Sequence, residues 1–465
     1  MKTQLSALVL ALAALSPQAS AENYGTVKTS VNHPDWAPTA VIYEMNLRQG
    51  TPERNLKGAA AQLPRLRELG IDVVWLMPIH PISELNRKGT LGSYYAVKNY
   101  KDVNPEFGTI QDLKDFVKQA HELGMKVILD EVCNHSGCDN AWVKEHPDYY
   151  ATDESGKMFG PFDWTDTYKL DYSNPDMRAA MLDALKFWIE ECDIDGYRCD
   201  VAMEVPTDFW DSIRPQLEEI KPVFMLAEAS KPELTLKSFD ADYAWPMKDV
   251  FNAIAAKQGV NEYAKLHNQK FKESNALSID TLLNQQALEY PMDTYRMNMV
   301  TNHDLNSWEG TEFERYGDGM EAFAVLSYTL PGMPMMYTGQ EVGFNHAFEF
   351  FENDSVIPDY TPNKITAFYK KLNDLKHSQP ALRAGDTGGK MIRYATASPD
   401  IYIFERVLPE NKVLTVLNLS NQELELRYDS DNVPDLTGMK NWFDNSDATL
   451  PTHLKPWEYF VFVQK

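Results

Sequence analysis

Short apolar runs alternate with helix-length amphipathic stretches along most of this chain, and that alternation leaves few folds open. Val41-Ile42-Tyr43-Glu44-Met45 has the make-up of a strand. A helical stripe of Leu56, Ala59, Leu63, Leu66 and Leu69 follows, closed by Gly70, and then a second apolar strand, Val73-Val74-Trp75-Leu76-Met77. Thr109 with Asp112 three residues on is set to cap the next helix, whose inner face is Leu113, Phe116, Val117, Ala120 and Leu123 before Gly124. Val127-Ile128-Leu129 reads as a third strand, Asn174-Pro175 as a helix start, and later strands end at Asp200 and in Val223-Phe224-Met225-Leu226. Strands separated by helices must pair in parallel, so the expected core is an α/β barrel, a (β/α)8 TIM barrel over roughly residues 38–380.

Spacing refines this. Asp200 and Glu228 lie 28 positions apart, about one βα unit, whereas Asp130 and Asp200 are 70 apart, which inserts a short lobe after strand 3. From about Met391 the helices stop: Ile401-Tyr402-Ile403-Phe404, Val413 to Leu417 and Phe460 to Val463 are strands divided by turns, the pattern of an all-β sandwich. The expected organisation is a leader at 1–21, an N-terminal segment at 22–37, barrel at 38–135 and 173–380 around the lobe at 136–172, and the sandwich at 381–465.

The N-terminus carries an export signal. Lys2 precedes an apolar run from Leu5 to Leu15, and Ala19-Ser20-Ala21 has the small-x-small form of a cleavage site, so the mature chain should begin at Glu22 in the periplasm or outside the cell. The run falls short of the roughly 20 residues a membrane span needs, so no membrane insertion is expected after cleavage. A net charge of −24 disfavours nucleic acid and anionic lipid and suits a neutral substrate. Of four cysteines, Cys133 and Cys138 lie in a loop that could close into a disulfide. Reading Ile194 to Arg198 as a strand puts Cys192 and Cys199 about 20 Å apart, too far to bridge, in packing roles.

Ionisable groups recur at the strand ends: Asp130 with Asn134 and His135, Arg198 with Asp200, Glu228, and Asn302-His303-Asp304 after Met299-Val300. In a barrel such ends converge on one pocket. Two facing carboxylates can break a glycosidic bond, one attacking the anomeric carbon and one protonating the leaving oxygen. Arg198, two residues before Asp200 on the same strand face, would hold Asp200 ionised, and the apolar approach Phe224-Met225-Leu226-Ala227 would favour a protonated Glu228.

These segments carry a resemblance. Asp130-Glu131-Val132-Cys133-Asn134-His135, Gly196-Tyr197-Arg198-Cys199-Asp200, Ala227-Glu228 and Thr301-Asn302-His303-Asp304 are similar to the four short motifs of the α-amylase family, glycoside hydrolase family 13, in their usual order. Gly70 to Pro78, Gly92 to Gly108 and Pro334 to Glu341 resemble weaker signatures of the same family. The resemblance implies Asp200 as nucleophile, Glu228 as acid/base and Asp304 as the carboxylate gripping the sugar's 2- and 3-hydroxyls. It further implies His135 and His303 as hydrogen-bond donors to that sugar, Arg198 as the group orienting Asp200, and Tyr95 stacked beneath the ring. The implied activity is retaining hydrolysis of α-1,4 bonds in starch, maltodextrin or related α-glucans, with the two carboxyls about 5 to 5.5 Å apart.

Val201-Ala202-Met203-Glu204 departs from many starch amylases and resembles neopullulanase-like members, which carry Glu at the position of Glu204. The chemistry needs no cofactor; a structural calcium would fall on Asn134 and Asp171. A transglycosylase, or an α-glucosidase or neopullulanase-like specificity, would share every catalytic residue, while a carbohydrate-binding relative without turnover would lack one of the three carboxylates. A metal hydrolase would want more imidazoles than His135 and His303. Trp75, Trp188 and Trp210 fall at packing positions, whereas Tyr94, Tyr95, Trp164 and Trp308 fall in loops where sugar could stack. Purified from the exported fraction, the protein should show an intact mass and an N-terminus beginning at Glu22; a mass that still includes residues 1–21 would refute the cleavage assignment.

Overall fold

The computed structural model describes residues 24–464; the expected leader and the start of the 22–37 segment lie outside them. Eight parallel strands close a barrel: β1 (Ile42–Met45), β2 (Val73–Leu76), β3 (Lys126–Glu131), β6 (Gly196–Cys199), β7 (Phe224–Ala227), β8 (Ala241–Tyr243), β9 (Tyr295–Asn298) and β10 (Met333–Tyr337). Between β3 and β6 the inserted lobe contributes the antiparallel pair β4 (His135–Gly137) and β5 (Thr167–Lys169). The spatial order around the ring is β1-β10-β9-β8-β7-β6-β3-β2. β9 ends just short of the apolar pair Met299-Val300 expected to close it.

The helix signals at Gly70, Thr109 and Asn174 act as expected, and Asn55 adds a further cap. Asn55 caps Leu56–Leu69, which ends at Gly70 with φ +99°, and Thr109 and Asp112 form a reciprocal capping box on Ile110–Glu122. Asn174 accepts from the first turn of Pro175–Cys192, with Pro175 at the first helical position.

Alternate residues of the barrel strands fall into two separate cores. Ile42, Val73, Trp75, Ile128, Phe224, Leu226 and Met335 fill the interior, while Val41, Val74, Leu76, Val127, Leu129 and Met225 pack outward on the helices. Burial on both faces explains why these strands read as continuous apolar runs. The C-terminal region is antiparallel: β11 (Lys390–Tyr394), β12 (Ile401–Leu408), β13 (Asn411–Asn418), β15 (Met439–Asn441) and β17 (Tyr459–Gln464) form one sheet, and β14 (Leu424–Glu425) with β16 (His453–Leu454) a second, sharing one apolar core. Among the described residues no helix is long and apolar enough to cross a membrane.

The four thiols are free. Closure of Cys133 onto Cys138 fails because β4 runs extended between them: Cys133 is buried in the core, whereas the Cys138 thiol meets Asn86 and Thr165. The strand expected from Ile194 begins only at Gly196, since the preceding helix runs to Cys192 and Asp193 turns the chain through a left-handed conformation.

Gly196 opens β6 at φ +145°, and a Cβ there would lie 1.9 Å from the Phe224 carbonyl oxygen on β7. Gly196→Ala should therefore cost about 2 to 3 kcal/mol. Gly156→Ala, also at positive φ but with open space around it, should cost about 1 kcal/mol. Equal losses in thermal unfolding would refute the steric account.

Candidate active site

The barrel places the Arg198 guanidinium at the centre of its C-terminal mouth. Arg198 pairs in register with Asp130 on β3, and two residues later the same strand face presents Asp200. Nη1 donates to Asp130 Oδ1 at 2.8 Å and to Asp200 Oδ1 at 3.0 Å, Nη2 lies 2.9 Å from Glu228 Oε2, and Nε donates to Tyr243 Oη at 3.1 Å. Its carbon sits 5.1 Å from the centre of the Trp75 ring and 5.5 Å from that of Tyr95. One buried cation thus touches the expected nucleophile, the expected acid/base and a third carboxylate.

The other half of the site is built on His303. Its backbone N–H donates to Glu44 Oε2 at 3.2 Å, its Nδ1 is hydrogen-bonded to Glu44 Oε1, and its Nε2 lies 2.8 Å from Tyr95 Oη and 3.4 Å from Asp304 Oδ2. Burial disfavours the imidazolium, but Asp304 and Glu44 outweigh it and raise the pKa to about 9. Charged, His303 donates through both nitrogens. Tyr95 in turn donates to Asp130 Oδ2 at 3.1 Å, an oxygen that also accepts from Trp75 Nε1 at 3.2 Å. Glu44, His303, Tyr95, Asp130 and Arg198 therefore form one connected path to Asp200 and Glu228.

Five carboxyl groups (Glu44, Asp130, Asp200, Glu228 and Asp304) share two cations, Arg198 and His303. Burial raises the Asp130 pKa to about 6 despite Arg198. The expectation that Arg198 holds Asp200 below its ordinary value is corrected: burial first and the charge of Glu228 second push Asp200 well above it, and Arg198 only opposes them. Asp304 is raised as well, by burial and then by Glu228, with His303 opposing. Asp130, Asp200 and Asp304 thus keep their protons to higher pH than ordinary carboxyls, and the pocket welcomes positive charge.

Glu228 Oε2 accepts from the Val201 N–H at 2.7 Å. That bond fixes Val201 at φ +36°, a left-handed conformation costly for a β-branched residue, directly after Asp200. Asp200 Oδ2 has no hydrogen-bond partner. The side chains of Asp200, Glu228 and Asp304 are 9%, 11% and 35% exposed, so Asp304 is the most open of the three and Asp200 Oδ2 is itself buried.

His135 is buried, and burial lowers its pKa to about 3, which leaves it a neutral hydrogen-bonding group beside Trp164, ring centres 5.1 Å apart. Tyr94 does not offer a stacking face: it is buried, and its hydroxyl donates to Gln49 Oε1 at 2.8 Å. Trp75 packs in the barrel interior as expected and also donates from Nε1 to Asp130 Oδ2. Trp188 and Trp210 are packing.

The Leu170 N–H donates to the Asn134 carbonyl at 3.1 Å, which brings the Asn134 and Asp171 segments together, and the Asp171 carboxylate accepts from Ser173 N–H at 2.9 Å. Among the described residues no group of three or more His, Cys, Asp or Glu side chains is placed to hold a metal ion.

Glu44, Asp130 as a structural partner, Tyr243 and Val201 were not singled out from sequence as site residues. Glu44 carries the same signal as the others, an ionisable group at a barrel strand end, and could have been found by it. Glu44→Gln should lower the His303 pKa and move the alkaline limb of kcat/KM toward lower pH by about one unit. The charged imidazole contributes stability that is full below its ordinary 6.5 and lost as pH rises through about 9, and the variant should lose that contribution earlier. An NMR titration of the imidazole unchanged in the variant would refute the coupling.

The α-amylase catalytic-domain family model matches residues 41–169 and 151–382. Alpha-amylase 3 of Dictyoglomus thermophilum is 25% identical over 467 residues, covering 85% of this chain and 88% of that one. A cyclomaltodextrinase of Thermoanaerobacter pseudethanolicus is 25% identical over 419 residues, covering 79% of this chain and 64% of that one. In structure, a noncanonic maltogenic alpha-amylase from Thermotoga neapolitana superposes with a TM-score of 0.77 at 27% identity, covering 92% of this chain and 98% of that one. With a match over most of the barrel, and with the family's four motif segments meeting at one barrel mouth, the chain belongs to the α-amylase family of glycoside hydrolases.

Proposed function

We propose that the protein hydrolyses α-1,4-glucosidic bonds in starch, maltodextrin or related α-glucans with retention of configuration. The observation that carries this is the single guanidinium holding Asp200 and Glu228 together while Asp200 Oδ2 stays unpartnered. Asp200 Oδ2 attacks C1, the bond from C1 to the glycosidic oxygen breaks with its electron pair going to oxygen, and Glu228 supplies that oxygen's proton. Water then attacks C1 of the glycosyl ester, Glu228 takes its proton, and Asp200 leaves as carboxylate.

Asp304 grips the 2- and 3-hydroxyls, charged His303 and neutral His135 hydrogen-bond the same sugar, and Tyr95 supports its ring. The excess of carboxylates over cations favours the oxocarbenium-like charge that develops at C1, and little dipole reorganisation is required. No step runs through a cofactor or metal.

Asp200→Asn should lower kcat on maltoheptaose by roughly 10⁴-fold or more. Because the carboxyl is held above its ordinary pKa, the neutral amide should leave the thermal midpoint at pH 7 no lower than wild type. Glu228→Gln should spare α-glucosyl fluoride, whose leaving group needs no proton, far more than maltoheptaose. The first product anomer seen by NMR should be α. A β product, or an active Asp200→Asn enzyme, would sink the assignment.

A further inference from the structure

The loops following β2 and β10 are tied together across β1. Leu91 N donates to Phe351 O at 2.9 Å, and Thr90 donates to Glu352 Oε2 through its N–H at 3.2 Å and its hydroxyl at 2.5 Å. Gly89 turns at φ +60°, and a Cβ there would lie 2.6 Å from Phe351 Cβ and 2.8 Å from its carbonyl oxygen, so the approach requires glycine. Beneath the junction the buried Arg48 side chain donates to the carbonyls of Phe350 and Gly92 at 2.9 and 3.2 Å, and its guanidinium lies 3.9 Å from the centre of the Tyr94 ring. The strap so held carries Phe350, whose ring is nearly parallel to Tyr95 at 6.3 Å and lies 5.5 Å from Trp308, itself 40% exposed.

Topology tells which end of the cleft this is. In the closed ring β7, which presents Glu228, lies four strands from β1 in either direction, so a strap arching over β1 stands across the mouth from Glu228. A group that protonates the leaving oxygen faces the departing sugar, and the far side receives the glycone. Resting on the hydrolase assignment above, we propose that the junction of residues 89–92 with 350–352 closes the glycone end of the cleft. The enzyme then removes short units from non-reducing chain ends, with Phe350 and Trp308 as the platform for the terminal glucose. A chain cut internally must pass out of the glycone end, and the tied loops stand in that exit.

The test compares reducing-end-labelled maltoheptaose with the same substrate blocked by a 4,6-O-ethylidene group on its non-reducing glucose. Wild type should release unlabelled glucose or maltose first and cleave the blocked substrate roughly tenfold more slowly or worse. Thr90→Ala with Glu352→Ala, which removes the side-chain tie, should narrow that ratio roughly fivefold. A strap with residues 349–353 replaced by two glycines should narrow it further. Wild-type cleavage of both substrates at equal rates, or ratios unchanged in both variants, overturns the proposal while leaving the hydrolase assignment intact. Failure to hydrolyse even α-glucosyl fluoride would overturn that assignment, and this proposal with it.

Discussion

The site depends on one ion: without the Arg198 guanidinium, Asp130, Asp200 and Glu228 could not stay close together in a buried mouth. Two carboxylates about 4 Å apart repel by about 4 kcal/mol at an effective dielectric near 20. A cation fully removed from water is itself tolerable only where several acceptors replace its hydration, and here three carboxylates and the Tyr243 hydroxyl do so. The arrangement is not fully neutralised. Burial first, with the charge of Glu228 added to it, shows in the upward shifts of Asp130 and Asp200, and under the proposed function a site held in that condition is prepared for a substrate that becomes cationic as it reacts.

Everything that aims these groups is backbone geometry. The parallel register that sets Arg198 beside Asp130 and Cys199 beside Ala227 also decides how far Asp200 and Glu228 project beyond their strands. Gly196 and the left-handed Val201 bracket the strand end that presents Asp200, one because β7 passes too close for a side chain and the other because its N–H is held by Glu228. Strain is thus concentrated within a few residues of the chemistry, and two separately packed cores absorb it.

The outer mouth obeys different rules. Its loops are held by side-chain to backbone bonds from Arg48 and Thr90, and its aromatic faces, Phe350 and Trp308, stay partly open. Polar fastening around apolar platforms is what a neutral polysaccharide calls for, since sugar rings offer apolar faces for stacking and hydroxyls for hydrogen bonds. The acidic balance of the whole chain is consistent with that choice of ligand.

The alternation of strands and helices, the caps at Thr109 and Asn174, the change of period near Met391 and the acidic strand ends were all legible in the sequence, because each follows from local periodicity or a short motif. The direction of the Asp200 shift was not, since it balances burial and Glu228 against Arg198, and burial belongs to the folded pocket alone. Nor were the roles of Trp75 and Glu44, which look like ordinary strand residues until the closed ring turns them toward Asp130 and His303. Local sequence determined which groups stand at the strand ends. Only barrel closure decided which of them share a cation or a hydrogen bond, because those relations join residues from strands far apart in the chain and depend on the dielectric that packing creates.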